Sequence, residues 1–156
     1  VRQQTEEKAA AHRSLSPQEL VERFPLFAGL NAEQREALVF QFYPKAAEPG
    51  ERVIRIGDKA DAVYFISSGE VEVSVKGRRV RLGPGDFFGE MALLSGERRS
   101  ADVTALSYSQ FLTLTQRDFR AFLRRYPDIR EHIVARANQR SESDRTDVLP
   151  EPVAGP

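Results

Sequence analysis

Gly89, Glu90, Arg99 and Ser100 are the residues whose types and spacing suit the capture of an anion. They lie in the run Phe88-Gly89-Glu90-Met91-Ala92-Leu93-Leu94-Ser95-Gly96-Glu97-Arg98-Arg99-Ser100-Ala101. Gly89 has no Cβ, so a ligand can come close to its backbone. Glu90 to Leu94 reads as a single helical turn whose first N–H groups lack partners and favour negative charge. Gly96 lets the chain double back and return Arg99 to that same end. A guanidinium pairs with phosphate through two parallel hydrogen bonds, and Ser100 adds a hydroxyl donor. Glu90, at the edge, is placed to accept hydrogen bonds from sugar hydroxyls. One anion plus one hydroxylated ring suits such a geometry. The same residues also suit an ordinary Gly-rich loop with a simple Glu90–Arg99 ion pair, and on their own they leave both readings open.

Composition removes several other chemistries. The 156 residues fit one domain large enough to bury a core. Lys+Arg and Asp+Glu both number 23, so no basic excess is available to hold nucleic acid. With no cysteine, disulfides, thiolate metal ligands and cysteine nucleophiles are all absent. The two histidines, His12 and His132, both fall in predicted helices away from the strands. A cupin-type metal site or a Ser-His-Asp hydrolase needs imidazoles where this chain has none, so the expectation is a non-enzyme without metal or cofactor. No apolar run approaches a membrane span, and no signal-peptide pattern opens the chain. The first residue is Val1, which suggests a module cut from a longer protein.

The elements around the run fall into three zones. Residues 1–15 read as a linker or the end of an upstream helix. Within 16–42 two short helices are expected. Ser16-Pro17-Gln18-Glu19 is a capping box with proline in the first turn, followed by Leu20, Val21 and Phe24 on one face. Asn31 and Gln34 repeat the cap logic ahead of Leu38, Val39 and Phe42. From 50 to 115 eight of the ten glycines punctuate short runs rich in Val, Ile and aromatics. Val53–Ile56, Val63–Ile66, the alternating Val71, Val73 and Val75, then Val80 and Leu82, Val103–Ala105 and Phe111–Leu114 read as strands. The fold class is therefore mainly β with flanking helices: a β-roll or jelly-roll sandwich with N-terminal helices and a C-terminal lid helix. Over 116–140, Thr115 and Asp118 cap a helix carrying Phe119, Phe122 and Leu123. Tyr126-Pro127 interrupts it, and a second helix carries Ile129, Ile133, Val134 and Ala137. Residues 141–156 turn polar and Pro-rich, and read as disordered.

The Phe88–Ala101 run resembles the phosphate-binding cassette of the cyclic-nucleotide-binding domain family, F-G-E-x-A-L, a short spacer, then R-[ST]-A-x-V. Phe88, Gly89, Glu90, Ala92, Leu93, Arg99, Ser100, Ala101 and Val103 all match. Upstream, Pro49-Gly50-Glu51, Gly57-Asp58, Asp61, Tyr64-Phe65-Ile66 and Gly69-Glu70-Val71 resemble the family's first strands, and the likeness covers about residues 17–140. It implies a ligand, cAMP or cGMP, with Arg99 on the cyclic phosphate and Glu90 on the ribose 2′-hydroxyl. Gly89, Met91, Ala92 and Ala101 would line the phosphate and sugar, and Ser100 would take the serine position. Val73 and Val80 are the implied apolar wall for the base. Arg140 stands where bacterial channel members carry a purine-capping arginine, though a solvated arginine at a helix end fits it as well. Arg98 departs from the family's usual proline, and spacing from Glu90 favours Arg99 as the binding residue. Ser100 in place of threonine leans toward cAMP.

The resemblance extends to the sensors of bacterial cyclic-nucleotide-gated potassium channels through Leu82-Gly83-Pro84-Gly85-Asp86-Phe87-Phe88-Gly89-Glu90-Met91-Ala92-Leu93. It implies a covalently linked effector, a homo-oligomeric channel or transporter in a bacterial inner membrane, with this domain cytoplasmic. The alternatives are the sensor of a soluble signalling protein, of kinase-regulatory or transcription-regulator type, and a non-binding interaction domain. After Arg140 too little chain follows for a helix-turn-helix, so neither DNA binding nor direct membrane insertion is expected of this segment.

Overall fold

The computed structural model describes residues 15–23, 27–135 and 138. Among them, two four-stranded antiparallel sheets form the centre. One has the order β1 (Tyr43–Ala47), β8 (Ser109–Thr115), β3 (Ala62–Ser68), β6 (Phe87–Phe88). The other has the order β2 (Arg52–Ile54), β7 (Asp102–Ala105), β4 (Val71–Val75), β5 (Arg78–Leu82). The expected β roll flanked by helices is what the chain forms.

Strand alternation builds two cores from one sheet. Ala62, Tyr64, Ile66, Phe88 and Phe111 face the second sheet and meet Ile54, Val71, Val103 and Ala105. Val63, Phe65, Phe87, Leu112 and Leu114 point the other way, toward the helices. β3 is buried along its whole length because both of its faces are covered. Its aromatic contacts are specific. Tyr64 stacks on Phe88 with centroids 5.0 Å apart, and both rings meet Phe111 edge-on at 5.7 and 5.6 Å.

The helices cover the outer core. α1 (Pro17–Arg23) opens with the expected box: the Glu19 amide donates to Ser16 Oγ, and the Ser16 amide donates to Glu19 Oε1. α2 (Ala32–Gln41) repeats it with Asn31 and Gln34. Phe42 falls just past the end of α2 in extended backbone, yet still packs edge-on against Phe65 at 5.5 Å. Thr115 caps α4 (Gln116–Arg125), whose Phe119, Phe122 and Leu123 are buried. A further helix, α5, spans 127–135. Among the described residues no helix is long and apolar enough to cross a membrane.

Three expectations need correction or completion. The β region begins at Tyr43, not at Gly50: β1 carries Pro44, Ala46 and Ala47, residue types depleted in strands, and it sits at a sheet edge where proline is tolerated. The second strand stops at Ile54, and Ile56 is exposed with its amide held by the Asp102 carboxylate. Residues 1–14, Phe24, Ala137, Arg140 and the segment 141–156 lie outside the described residues.

Phe111, 1 % exposed, joins the two sheets beneath the Tyr64–Phe88 stack. Replacing it with alanine should lower unfolding stability by about 3–5 kcal/mol, read from urea denaturation. A loss under about 1 kcal/mol would show that this ring is not a keystone of the inner core.

Candidate functional site

The site is assembled where β6 ends and α3 (Glu90–Ser95) begins. Gly89 occupies the N-cap with φ +88°, a left-handed conformation that side chains resist, and no side chain caps the helix. A Cβ there would lie 2.9 Å from Arg99 Nη1. Gly96, also left-handed, closes the other end and turns the chain back, as the sequence requires.

Arg99 is the centre of the arrangement. Its backbone pairs twice with the β2–β3 loop: Arg99 N donates to Asp58 O at 2.8 Å, and Gly57 N donates to Arg99 O at 2.9 Å. Its guanidinium is buried and makes three hydrogen bonds. Nη1 donates to Gly89 O at 2.7 Å, and Nη2 donates to Ala62 O at 2.7 Å and to Asp61 Oδ1 at 3.2 Å. Two of these acceptors are neutral carbonyls, which orient the cation without cancelling its charge. The third is a carboxylate whose side chain is 69 % exposed, against 4 % for the arginine, so water screens it. A guanidinium has five N–H donors, so capacity remains for an anion.

Lys45 and Tyr43 stand nearby on β1. Burial works against the charged form of Lys45, but Tyr64, through charge and a hydrogen bond at 3.5 Å, outweighs it, helped by Tyr43 and Asp61. The lysine is held above its ordinary pKa. Burial is the main cause that raises the Tyr43 phenol, with Tyr64 and Asp61 adding to it against Lys45.

The sequence-predicted residues are distributed as follows. Gly89 and Arg99 are brought into direct contact. Arg98 is exposed and donates to Gly57 O at 3.3 Å. Ser100 is exposed, Ala101 half-buried and Met91 43 % exposed, while Ala92 packs into the outer core. Val73 and Val80 are directly opposed across β4 and β5, half-buried on the inner face, with Val103 on the other side of Val73. Glu90 was expected at the edge; as the first residue of α3 it is instead buried to 2 % and engaged by neighbouring groups. Sequence reasoning gave no role to the Ala62 carbonyl or to Asp61. A carbonyl carries no residue-type signal, and Asp61 was visible only as a matched position. Among the described residues no group of three or more His, Cys, Asp and Glu is placed to hold a metal ion.

Residues 44–126 of the sequence match the family model described as "Cyclic nucleotide-binding domain". The chain belongs to that family. The domain is 42 % identical over 118 residues to a Rhodopseudomonas palustris protein provisionally assigned as a potassium channel, covering 73 % of this chain and 29 % of that one. It is 37 % identical to a cyclic nucleotide-gated potassium channel of Rhizobium etli, over 78 % of this chain and 34 % of the channel. The chain thus spans about a third of the length of these curated relatives. Among solved structures, the catabolite activator protein of Thermus thermophilus superposes with a TM-score of 0.68 at 32 % identity, covering 81 % of this chain and 63 % of that one.

The contact between Gly89 and Arg99 is directly testable. Gly89→Ala introduces both a strained φ and a Cβ against Nη1, and should cost about 1–3 kcal/mol in unfolding stability. An alanine variant as stable as the parent would mean that this backbone is not held where it is described.

Proposed function

We propose that the domain is a non-catalytic sensor that binds a cyclic nucleotide, cAMP or cGMP, with residues 16–140 as the functional unit. The observation that carries this is the buried Arg99 guanidinium, oriented by the carbonyls of Gly89 and Ala62 at the start of a short uncapped helix. In this reading the cyclic phosphate meets Arg99 and the backbone of Gly89, Met91 and Ala92. Ser100 and Ala101 flank the phosphate and sugar, and Glu90 receives the ribose hydroxyl. The purine lies along Val73 and Val80, and Arg140 covers it from the C-terminal helix.

Signal transmission follows from packing. Ala92 and Leu93 of α3 belong to the same outer core as α1, α2, α4 and α5. Arg120 of α4 donates to the Leu93 carbonyl at 3.3 Å. A ligand that shifts α3 therefore presses on the helices. In this reading the C-terminal helix, whose Ile129 and Ile133 pack into that core, closes over the purine. Ligand binding biases such states only by its different affinity for them.

The effector in our reading is a homo-oligomeric potassium channel or transporter of a bacterial inner membrane, with the domain on the cytoplasmic side. The names of the relatives support it. A soluble effector is the second reading, favoured by the similarity to the catabolite activator protein.

Calorimetric titration tests the site. Arg99→Ala should weaken cAMP binding by about 2–5 kcal/mol, at least about thirty-fold. Because alanine also strips the donors from two carbonyls, Arg99→Lys should be measured beside it, with unfolding midpoints for both. Parental affinity in both variants would refute the assignment.

A further inference from the structure

A groove of about 420 Å³ lies between α1 and α2. Val21, Val39 and Phe40 give it an apolar lining, Glu22 and Glu36 add two carboxylates, and Arg35 adds a guanidinium. Phe40 is 80 % exposed, although an aromatic ring gains most from burial. Arg35 Nη2 donates to Ala28 O at 3.3 Å, but its Nε is buried without a hydrogen-bond partner among the described residues. A buried donor left in that state costs free energy until an acceptor reaches it.

The loop between β2 and β3 has the complementary character. Ile56 on it is 56 % exposed. Arg55, Asp58 and Lys59 are exposed beside it, and Arg98 joins them by donating to Gly57 O. The loop is also held rigidly. Ile56 N donates to Asp102 Oδ1 at 2.8 Å, Gly57 N to Arg99 O at 2.9 Å, and Asp58 N to Arg55 O at 3.1 Å. A segment already ordered loses little entropy on docking.

We propose that the α1–α2 groove of one copy of this chain receives the Ile56 loop of a second copy. Ile56 enters the apolar lining beside Phe40, and Arg55, Lys59 and Arg98 face Glu22 and Glu36. Asp58 supplies the carboxylate acceptor that Arg35 lacks. Groove and loop are different surfaces, so the contact runs head to tail and each copy can engage two others, as in a ring. One loop in one groove is a small interface of the weak, reversible class. It lands on the segment that holds the backbone of Arg99.

Sedimentation velocity from micromolar to millimolar concentration tests this. The parent should self-associate reversibly, less so at high salt. Phe40→Asp and Ile56→Asp should each stay monomeric with parental unfolding midpoints, since both side chains are exposed. Mixed together they should pair, because one keeps its loop and the other its groove. Unlabelled Ile56→Asp should then shift the amides of residues 55–59 in nitrogen-15-labelled Phe40→Asp. Should Phe40→Asp lose stability, Glu36→Lys takes its place and should weaken self-association several-fold. A parent that stays monomeric throughout, a mixture that does not pair, or an Ile56→Asp variant that associates like the parent would each overturn the proposal. So would a monomeric parent in which Phe40→Asp moves the amides of residues 141–156, since the groove would then belong to the chain's own tail. None of these results bears on nucleotide binding, which calorimetry reads separately.

Discussion

A guanidinium taken out of water must be matched by acceptors, and the arrangement around Arg99 is organised by that constraint. Leaving it unmatched would cost several kcal/mol. The chain meets the need with backbone, using the carbonyls of Gly89 and Ala62, and adds one solvated carboxylate from Asp61. Each partner depends on a different part of the fold. Ala62 opens β3, Gly89 must be left-handed, and the loop at Gly57 and Asp58 holds the arginine's own backbone. Such a cation keeps its charge and its direction, which is what recognition of a singly charged phosphodiester requires.

The sheet whose Ala62 carbonyl holds this cation also carries the helical layer. Residues 62, 64 and 66 of β3 face the β sandwich, and residues 63 and 65 face the helices. α3 sits at the junction, with its N-cap Gly89 bonded to the arginine and Leu93 in the helical core. A packed interior does not deform continuously, so a displacement of α3 is passed to its neighbours. Regulation through this domain needs no long pathway; the site and the helices share side chains.

Much of this was legible in the residues. Period-two alternation at Val71, Val73 and Val75 marked β4 correctly, and the caps at Ser16, Asn31 and Thr115 marked three helix starts. The cassette was readable because Phe88–Ala101 resembles a family pattern; on their own its glycines and arginine left an ordinary loop equally open. What escaped was what residue type does not encode. β1 hid behind Pro44 and two alanines, whose place in a strand comes from pairing with β8. The burial of Glu90 depends on how α3 is set against the sheet. The acceptors of Arg99 are mostly main-chain carbonyls, invisible to any motif.

The central claim is that Arg99, already buried and oriented, is the group that meets the ligand's phosphate. Nitrogen-15 NMR of the arginine side chains during a cAMP titration tests it most directly, with the Arg99 signal assigned from Arg99→Lys. A saturable shift of the Arg99 Nε–H resonance, tracking the binding isotherm, is the predicted result. Ligand binding that leaves this resonance unmoved while other arginines shift would contradict the account.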